Sequence, residues 1–374
     1  MALPQLAGFP GFIRHPSKAG SMATIRDVAQ AAGVSVATVS RVYNSSILVR
    51  EETGLRVREA AARLGYVPHG AARSLITSRT NTIGVLLPDL YGEFFSEVIR
   101  GIDQAAQGQG YHLLVSSSHD QRDAFEAALR SMRGRVDGLI VMWPEMDAET
   151  AVRNLPAGFP VVLLHVPVRP DSFDVITIAN FDGARAMVLH LLDLGHRQIA
   201  IIKGAEGNFD AAERLRGYRD ALASAGIAPS SALEVPGDFS EASGFVAVGK
   251  LFHGDPHPTA IFAANDAMAI GALSALRQAG LRVPHDVAVA GFDDIPIAQY
   301  LDPPLSSVHV DISALGERAT LRLLDAVRDK EGHVRRAETL PTTLMLRRSC
   351  GATIPAARAT APTPASSPIT SPSL

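Results

Sequence analysis

Thr24–Asn44 reads TIRDVAQAAGVSVATVSRVYN, two short helices around a tight turn. Thr24 is placed to cap the first helix, because its hydroxyl can accept from the free N–H groups of the first turn. Ile25, Val28 and Ala29 fall at i, i+3 and i+4, the apolar stripe of an amphipathic helix. Gly33 ends that helix, since glycine takes positive φ without a Cβ clash. Ser35 is the second cap, and Val39 and Val42 form the face that packs back on the first helix.

The opposite face of the second helix carries Val36, Ala37, Ser40, Arg41 and Asn44. Val36 with Ser40, and Ala37 with Arg41, are i, i+4 pairs that project side by side. Small residues beside an arginine suit a helix whose first turn enters the DNA major groove. They permit close approach to base edges while the guanidinium bonds a guanine. A buried helical hairpin would have no need of these polar residues on one side.

Charge follows the same division. Between Met22 and Arg79 eight arginines stand against four carboxylates, a net +4, and Arg14 and Lys18 precede them. The whole chain of 374 residues carries −3, which leaves the remainder at −9. A basic head on an acidic body fits local phosphate contact by one part and a separate soluble module in the other.

The 21 residues before Met22 are broken by Pro4, Gly8, Pro10, Gly11 and Pro16 and have no continuous apolar run. They read as a disordered arm or a misassigned start, not a signal peptide. No run approaches the ~20 apolar residues of a membrane span. The one cysteine, Cys350, excludes an intrachain disulfide and fits a reducing, cytoplasmic setting. Phosphate loops, Gly-x-Gly-x-x-Gly turns, zincin helices and nucleophile elbows are missing, and the twelve histidines show no metal-ligand spacing. No cofactor, metal or enzymatic activity is expected.

Beyond Asn44 a third helix is expected near Glu51–Leu64, with Val57, Ala60, Ala61 and Leu64 as its apolar stripe, Arg50 at its start and Gly65 at its end. Tyr66–Pro68 is a short extended link, and His69–Ile76 is marginal as an independent helix. From Thr82 the pattern changes. IGVLL, YHLLVSSS, VDGLIVM and VVLLHV alternate with helical stretches, and IAIIKG, LEVPGD, TAIFAAND and VAVAGFDD do so again. Such alternation means βαβ units and parallel sheets, here two doubly wound sheets in series. Gly351–Leu374 is rich in Ala, Pro, Ser and Thr and is expected to be disordered. The expected segments are therefore a leader (1–21), a helix-turn-helix headpiece with hinge (22–79), a two-lobed effector and dimerisation domain (80–350) and a tail (351–374).

ATIRDVAQAAGVSVATVSRVYN resembles the signature of the lactose-repressor (LacI/GalR) family of bacterial transcription regulators. The resemblance continues through LGYVPHGAARSL, RVDGLIVM, LGHRQIAII, ERLRGYRDAL, PTAIFAANDAMAIGAL and VAVAGFDDIPIAQYLDPPLSSV, from about Ala23 to Cys350. It implies a three-helix headpiece, a hinge helix and a periplasmic-binding-protein-like body of two lobes joined by three crossings. The late helix Ile312–Asp329 would return to the first lobe and the strand near Leu340–Leu346 to the second. It also implies a homodimer on double-stranded palindromic operator DNA, switched by a small sugar-like effector. Thr24, Ser35, Val36, Ala37, Thr38, Ser40, Arg41 and Asn44 would face DNA, with Ala72 and Leu75 of the hinge in the minor groove. A periplasmic sugar-binding protein shares the second fold but not the first, and an α/β enzyme would need a nucleophile or cofactor loop.

Ligands of open α/β sheets bind beyond the carboxyl ends of the strands. Phe94, Phe95, Asp120, Asn208, Asp210, Arg214, Phe239, Asn265 and Asp293 all follow strands or open the helices after them. Planar polar groups can bridge vicinal hydroxyls while a ring covers a C–H face. The resemblance matches Arg214, Asn265 and Asp293 to effector-contacting positions, and Phe94, Phe95 and Phe239 to aromatic ones. Asp266 and Asp294 are expected to be helix caps, and His165 stands where the family often has aspartate.

Overall fold

The structure is a computed structural model. It describes residues 23–43, 49–66, 79–119, 121–145, 153, 155, 158–166 and 173–352. The chain divides between Thr80 and Asn81 into two compact units.

In the first unit, α1 (Ile25–Ala32), α2 (Val36–Tyr43) and α3 (Glu51–Leu64) enclose a small core. Val28, Ala29, Ala32, Val39, Val57, Ala60 and Ala61 are buried in it. Thr24 opens α1 with a reciprocal cap. Its hydroxyl accepts from the N–H of Asp27, while the Asp27 carboxylate accepts from the N–H of Thr24 at 2.8 Å. Gly33 then closes α1 at φ 64°. The N–H of Thr38 donates to Ser35 Oγ at 3.1 Å, which starts α2. Arg50 offers α3 no side-chain cap, but Glu51 and Glu52 place negative charge in its first turn. Leu64 was expected in the core stripe and is 40% exposed, because α3 turns it outward in its last turn. Arg56 on α3 donates to the carbonyl of Ala32 at 2.8 Å and so ties α3 to the end of α1.

The second unit holds two lobes. The first sheet runs β11-β5-β4-β3-β1-β2, with β1 (Thr82–Leu87), β2 (His112–Ser117), β3 (Gly138–Met142), β4 (Val161–Leu164), β5 (Asp174–Ile178) and β11 (Ala337–Leu340). All of its pairings are parallel. The second runs β12-β10-β9-β8-β6-β7, with β6 (Ile199–Ile202), β7 (Glu234–Val235), β8 (Ala260–Ala263), β9 (Ala288–Asp293), β10 (Ser306–His309) and β12 (Thr343–Met345). Only β12 is antiparallel, to β10. Central strands such as β3, β4, β6 and β8 are buried along their whole length, as strands covered by helices on both faces must be.

Between the strands lie α4 (Glu93–Gly108), α5 (Arg122–Met132), α6 (Asn180–Asp193), α7 (Phe209–Ser224), α8 (Glu241–Leu251), α9 (Asp266–Gln278) and α10 (Ile312–Arg328). The chain passes between lobes three times: from β5 to α6, from β10 to α10, and from β11 to β12. The single late strand expected near residues 340–346 is two. β11 joins the edge of the first sheet, and β12 joins the second two residues later.

Helix α10 packs on α4, and glycine makes this possible. A Cβ on Gly101 would stand 2.0 Å from the carbonyl oxygen of Ser313, and one on Gly316 would stand 2.3 Å from that of Val98. Both obstacles are backbone, so the helices would have to part. Gly101→Ala is expected to lower the unfolding free energy of this unit by ~1–3 kcal/mol, the usual cost of overpacking. Urea denaturation reads this directly, and an unchanged midpoint would refute the close approach.

Candidate functional site

Two surfaces hold the residues singled out in the sequence. The first is the outer face of α2. Val36 is 41% exposed, and Ala37 and Arg41 are exposed beside it. Ser40 is half-buried and Val39, on the inner face, is buried. The apolar stripe therefore turns inward and leaves a small-residue surface with one guanidinium outward. Thr24, Ser35 and Thr38 hydroxyls are engaged in helix starts: Ser35 Oγ lies 2.9 Å from Thr38 Oγ1. Each is at the surface or near it, so capping does not remove them from reach of a phosphate. Asn44, Ala72 and Leu75 lie outside the described residues.

The second surface is a cavity of about 530 Å³ between the lobes, at the carboxyl ends of both sheets. Phe94, Phe95, Asn208, Asp210, Arg214, Phe239, Asn265 and Asp293 all line it. Asp120 lies outside the described residues. The order of each sheet reverses beside its first strand, at β1 and β3 in one lobe and β6 and β8 in the other. That leaves a crevice at each switch point, and the two crevices face one another.

Each polar group has an identifiable support. Arg214 is 3% exposed and held on three sides. Its Nε donates to Asn180 Oδ1 at 2.8 Å, its Nη1 to the carbonyl of Ala264 at 2.5 Å, and its Nη2 stands 3.2 Å from Asp293 Oδ1. The guanidinium carbon lies 3.8 Å from the centre of the Phe292 ring, a cation–π contact shielded from water. The Arg214–Asp293 approach is close in distance but poorly aligned, and Asp293 Oδ1 makes no hydrogen bond among the described residues. Burial pushes the Asp293 carboxyl up to about 6, against the downward pull of Arg214.

Asn208 and Asn265 have a double duty. Asn208 caps α7 by accepting from the N–H of Ala211, and its amide donates across the cavity to Glu145 at 2.8 Å. Asn265 caps α9 by accepting from Met268, and its amide donates to the carbonyl of Phe239 at 3.0 Å. Asp266 was expected as a cap and is not one: it is the first residue of α9 and wholly buried. Its carboxyl accepts from Ser307 Oγ at 2.6 Å and from the N–H of Ile295 at 2.9 Å. Burial, and then the neighbouring Asp293, push it well above the usual carboxylate range. Asp294 likewise caps nothing; it pairs with Arg347 at 2.6 Å and His309 at 3.0 Å.

Three lining or supporting side chains were not among the candidates: His165, Asn180 and Phe292. His165 Nδ1 is hydrogen-bonded to Asp210 Oδ2, and Asn180 donates to Asp210 Oδ1 at 2.7 Å. Positive φ in non-glycine residues concentrates here, at His165 (61°), Phe239 (70°) and Asp293 (104°). Such backbone costs of order 1–3 kcal/mol each and persists where the surroundings impose it. His165 had one signal in the sequence, its departure from aspartate. Asn180 had none, since its partners are 30 and 34 residues away.

The cavity is acidic. Among the described residues Asp89, Glu93, Glu145, Asp210, Asp238, Glu241 and Asp293 line it against one guanidinium. Among the described residues no cluster of side chains suits a metal ion, and no helix is long and apolar enough to cross a membrane.

A helix-turn-helix with an open reading face and a two-lobed body closing on a polar cavity, in one chain, define a class: DNA-binding regulators that respond to a small molecule. A family model described as bacterial regulatory proteins, lacI family, matches residues 24–69, and a periplasmic binding protein-like domain model matches residues 188–350. The HTH-type transcriptional repressor PurR of Edwardsiella ictaluri (strain 93-146) is 37% identical over 334 residues, or 88% of this chain and 97% of that protein. The ribose operon repressor of Escherichia coli (strain K12) is 38% identical over 301 residues, 80% of this chain and 91% of the relative. The crystal structure of the lac repressor dimer bound to operator and the anti-inducer ONPF matches with a TM-score of 0.80 and 32% identity, over 88% of this chain and 99% of that one. The chain belongs to the lacI family of bacterial regulatory proteins and is a DNA-binding transcription regulator.

Proposed function

We propose that this regulator represses a carbohydrate-uptake or utilisation operon and is switched by a neutral, sugar-like polyol bound between the lobes. Val36, Ala37, Ser40 and Arg41 read base edges, and Thr24, Ser35 and Thr38 contact the backbone. Two copies bind one palindromic operator, as symmetry requires of a dimer.

The observation that carries the effector class is the commitment of Arg214. Among the described residues it is the one guanidinium lining the acidic cavity, and its Nε, Nη1 and Nη2 already face Asn180, the Ala264 carbonyl and Asp293. Among the described residues no second guanidinium or ammonium lines the cavity to neutralise a phosphate or carboxylate brought out of water. Neutral hydroxyls suit what remains: Asp293 Oδ1 as an acceptor, the amides of Asn208 and Asn265, and the rings of Phe94 and Phe239.

A thermal-shift screen of D-ribose, D-glucose and D-galactose against their phosphates tests this reading. A ligand at 100 times its dissociation constant adds ~2.7 kcal/mol to stability. A neutral sugar is expected to raise Tm and release or tighten an operator duplex in a gel shift. Stabilisation by the phosphates alone would overturn the proposal.

A further inference from the structure

Every pairing in the first sheet is parallel, so all six strands begin on one edge, opposite the cavity. The chain enters the second unit at that edge, where the N–H of Asn81 donates to Asp137 at 2.9 Å just ahead of β1 and β3. Cations gather there. Arg133 and Arg135 lie between α5 and β3, Arg328 and Lys330 at the end of α10, and Arg335 and Arg336 just ahead of β11. Packing brings these segments to the same edge: Val327 lies against Gly138 at the start of β3, and Arg328 donates to Gln109 ahead of β2. All six side chains are exposed, and none of them has an ion pair among the described residues.

The carboxylates of this edge do little to offset them. Asp174 is 2% exposed and pairs inward with His333 at 2.6 Å and the N–H of Arg336 at 3.2 Å. Asp137 accepts from Asn81 and Asp329 from the N–H of Gly332, and only Glu331 stands exposed without a printed role in the backbone. In the second lobe, by contrast, Arg185, Arg219, Arg282 and Arg348 each face a carboxylate. A cation at the end of α5 or α10 also favours the helix dipole, which accounts for Arg133 and Arg328 in part. Arg135, Arg335 and Arg336 have no such local role.

We propose that this edge is a second DNA contact: its arginines and Lys330 touch phosphates of the duplex held by the helix-turn-helix, so the effector-binding unit adds a sequence-independent, salt-sensitive part of the affinity. The partner follows from charge and from continuity along the chain. Residues 80–374 carry −9, and an acidic module tethered to DNA would be repelled unless the part nearest the duplex were basic. Residues 65–80 alone link α3 to Asn81, so a headpiece on its operator keeps phosphates at high effective concentration around this edge. Six strands spaced ~4.8 Å apart make an edge of about 24 Å, the length of about seven base pairs. Long, unpaired, solvated cations suit phosphate contact, which needs charge and reach but no fixed geometry.

The test uses the full chain, a palindromic operator selected by it from a random duplex library, and a scrambled duplex of equal length. Affinity is measured by fluorescence anisotropy between about 50 and 200 mM KCl. Each phosphate contact contributes ~0.9 to the slope of log affinity against log salt. Arg335→Gln/Arg336→Gln is expected to lower that slope by about two to four in the dimer, alike on both duplexes, and Arg133→Gln/Arg135→Gln to act in the same direction. The control Arg219→Gln/Arg282→Gln removes as much charge from the second lobe and is expected to leave the slope unchanged. Thermal melting identifies a variant that has not folded, in which case the other edge pair decides. An unchanged slope in the folded edge variants would overturn the proposal and favour an acidic protein as the occupant. An equal drop in the control would overturn it as an effect of net charge alone, and a loss confined to the operator would overturn it by showing sequence readout.

Discussion

Asp293→Ala is expected to abolish the effector response and leave operator binding intact. The substitution strips the cavity of its buried acceptor and leaves Arg214 without its carboxylate. Breaking a buried pair from one side commonly costs 3–5 kcal/mol. Here Phe292, Asn180 and the Ala264 carbonyl still hold the guanidinium, which places the loss of stability near ~3 kcal/mol or below. The face proposed to read the operator is on α2, in the other compact unit. Gel shift with and without sugar, beside calorimetry, separates the effects. Lost DNA binding with sugar affinity retained would remove Asp293 from the site.

The same carboxyl gives the response a pH dependence. Its raised value of about 6 means the folded protein holds this proton more tightly than the unfolded chain. Asp293 therefore stabilises the fold most at acidic pH, and that contribution is lost as pH climbs from about 4 through 6. Binding of the proposed polyol is expected to run the other way, because a hydroxyl donates to the ionised form. Below pH 6 the sugar dissociation constant is expected to rise towards a limit of about tenfold per pH unit. Asp293→Asn should flatten that profile, and a slope surviving in the variant would assign it to another group.

Arg41→Ala addresses the DNA side. Val36 and Ala37 have no side-chain hydrogen-bonding atoms and offer only closeness and apolar contact. On the proposed reading Arg41 is the main polar reader of base edges, with guanine as its natural partner. The variant is expected to lose ~1–3 kcal/mol at one base pair of each half-site and to flatten preference there. An arginine on phosphate would behave differently: binding would weaken alike on all sequences, and the salt slope would drop by about one. Measuring the variant against operators changed one position at a time decides between them.

Much of this architecture is legible in the sequence. The ends of α1 were written in local chemistry, Thr24 with Asp27 at one end and Gly33 at the other. The central strands were written as short, wholly apolar runs. What escaped reading lacked such local marks. β11 is AETL and β12 is TLM, edge strands with exposed residues whose partners lie far away in sequence. Asp266 and Asp294 looked like caps because each precedes or opens a helical turn, but packing of β10 and the C-terminal segment gave their carboxyls other donors. In the cavity the sequence pointed to side chains at strand ends. It did not reveal that Arg214 is already engaged through Asn180, a pairing created only when α6 and α7 pack together.

The three crossings between the lobes bear on how the protein is made. The first lobe is built from residues 81–178 and then, after the whole of the second sheet but β12, from α10 and β11. A ribosome that has released the chain only as far as Tyr300 carries a first sheet without its edge strand β11, and an α4 whose Gly101 face has nothing upon it. Domains generally fold as units as they emerge, but this lobe cannot complete itself in that order. Its open strand edge must wait, exposed to misassociation, while residues 179–336 are added at about 5–20 per second.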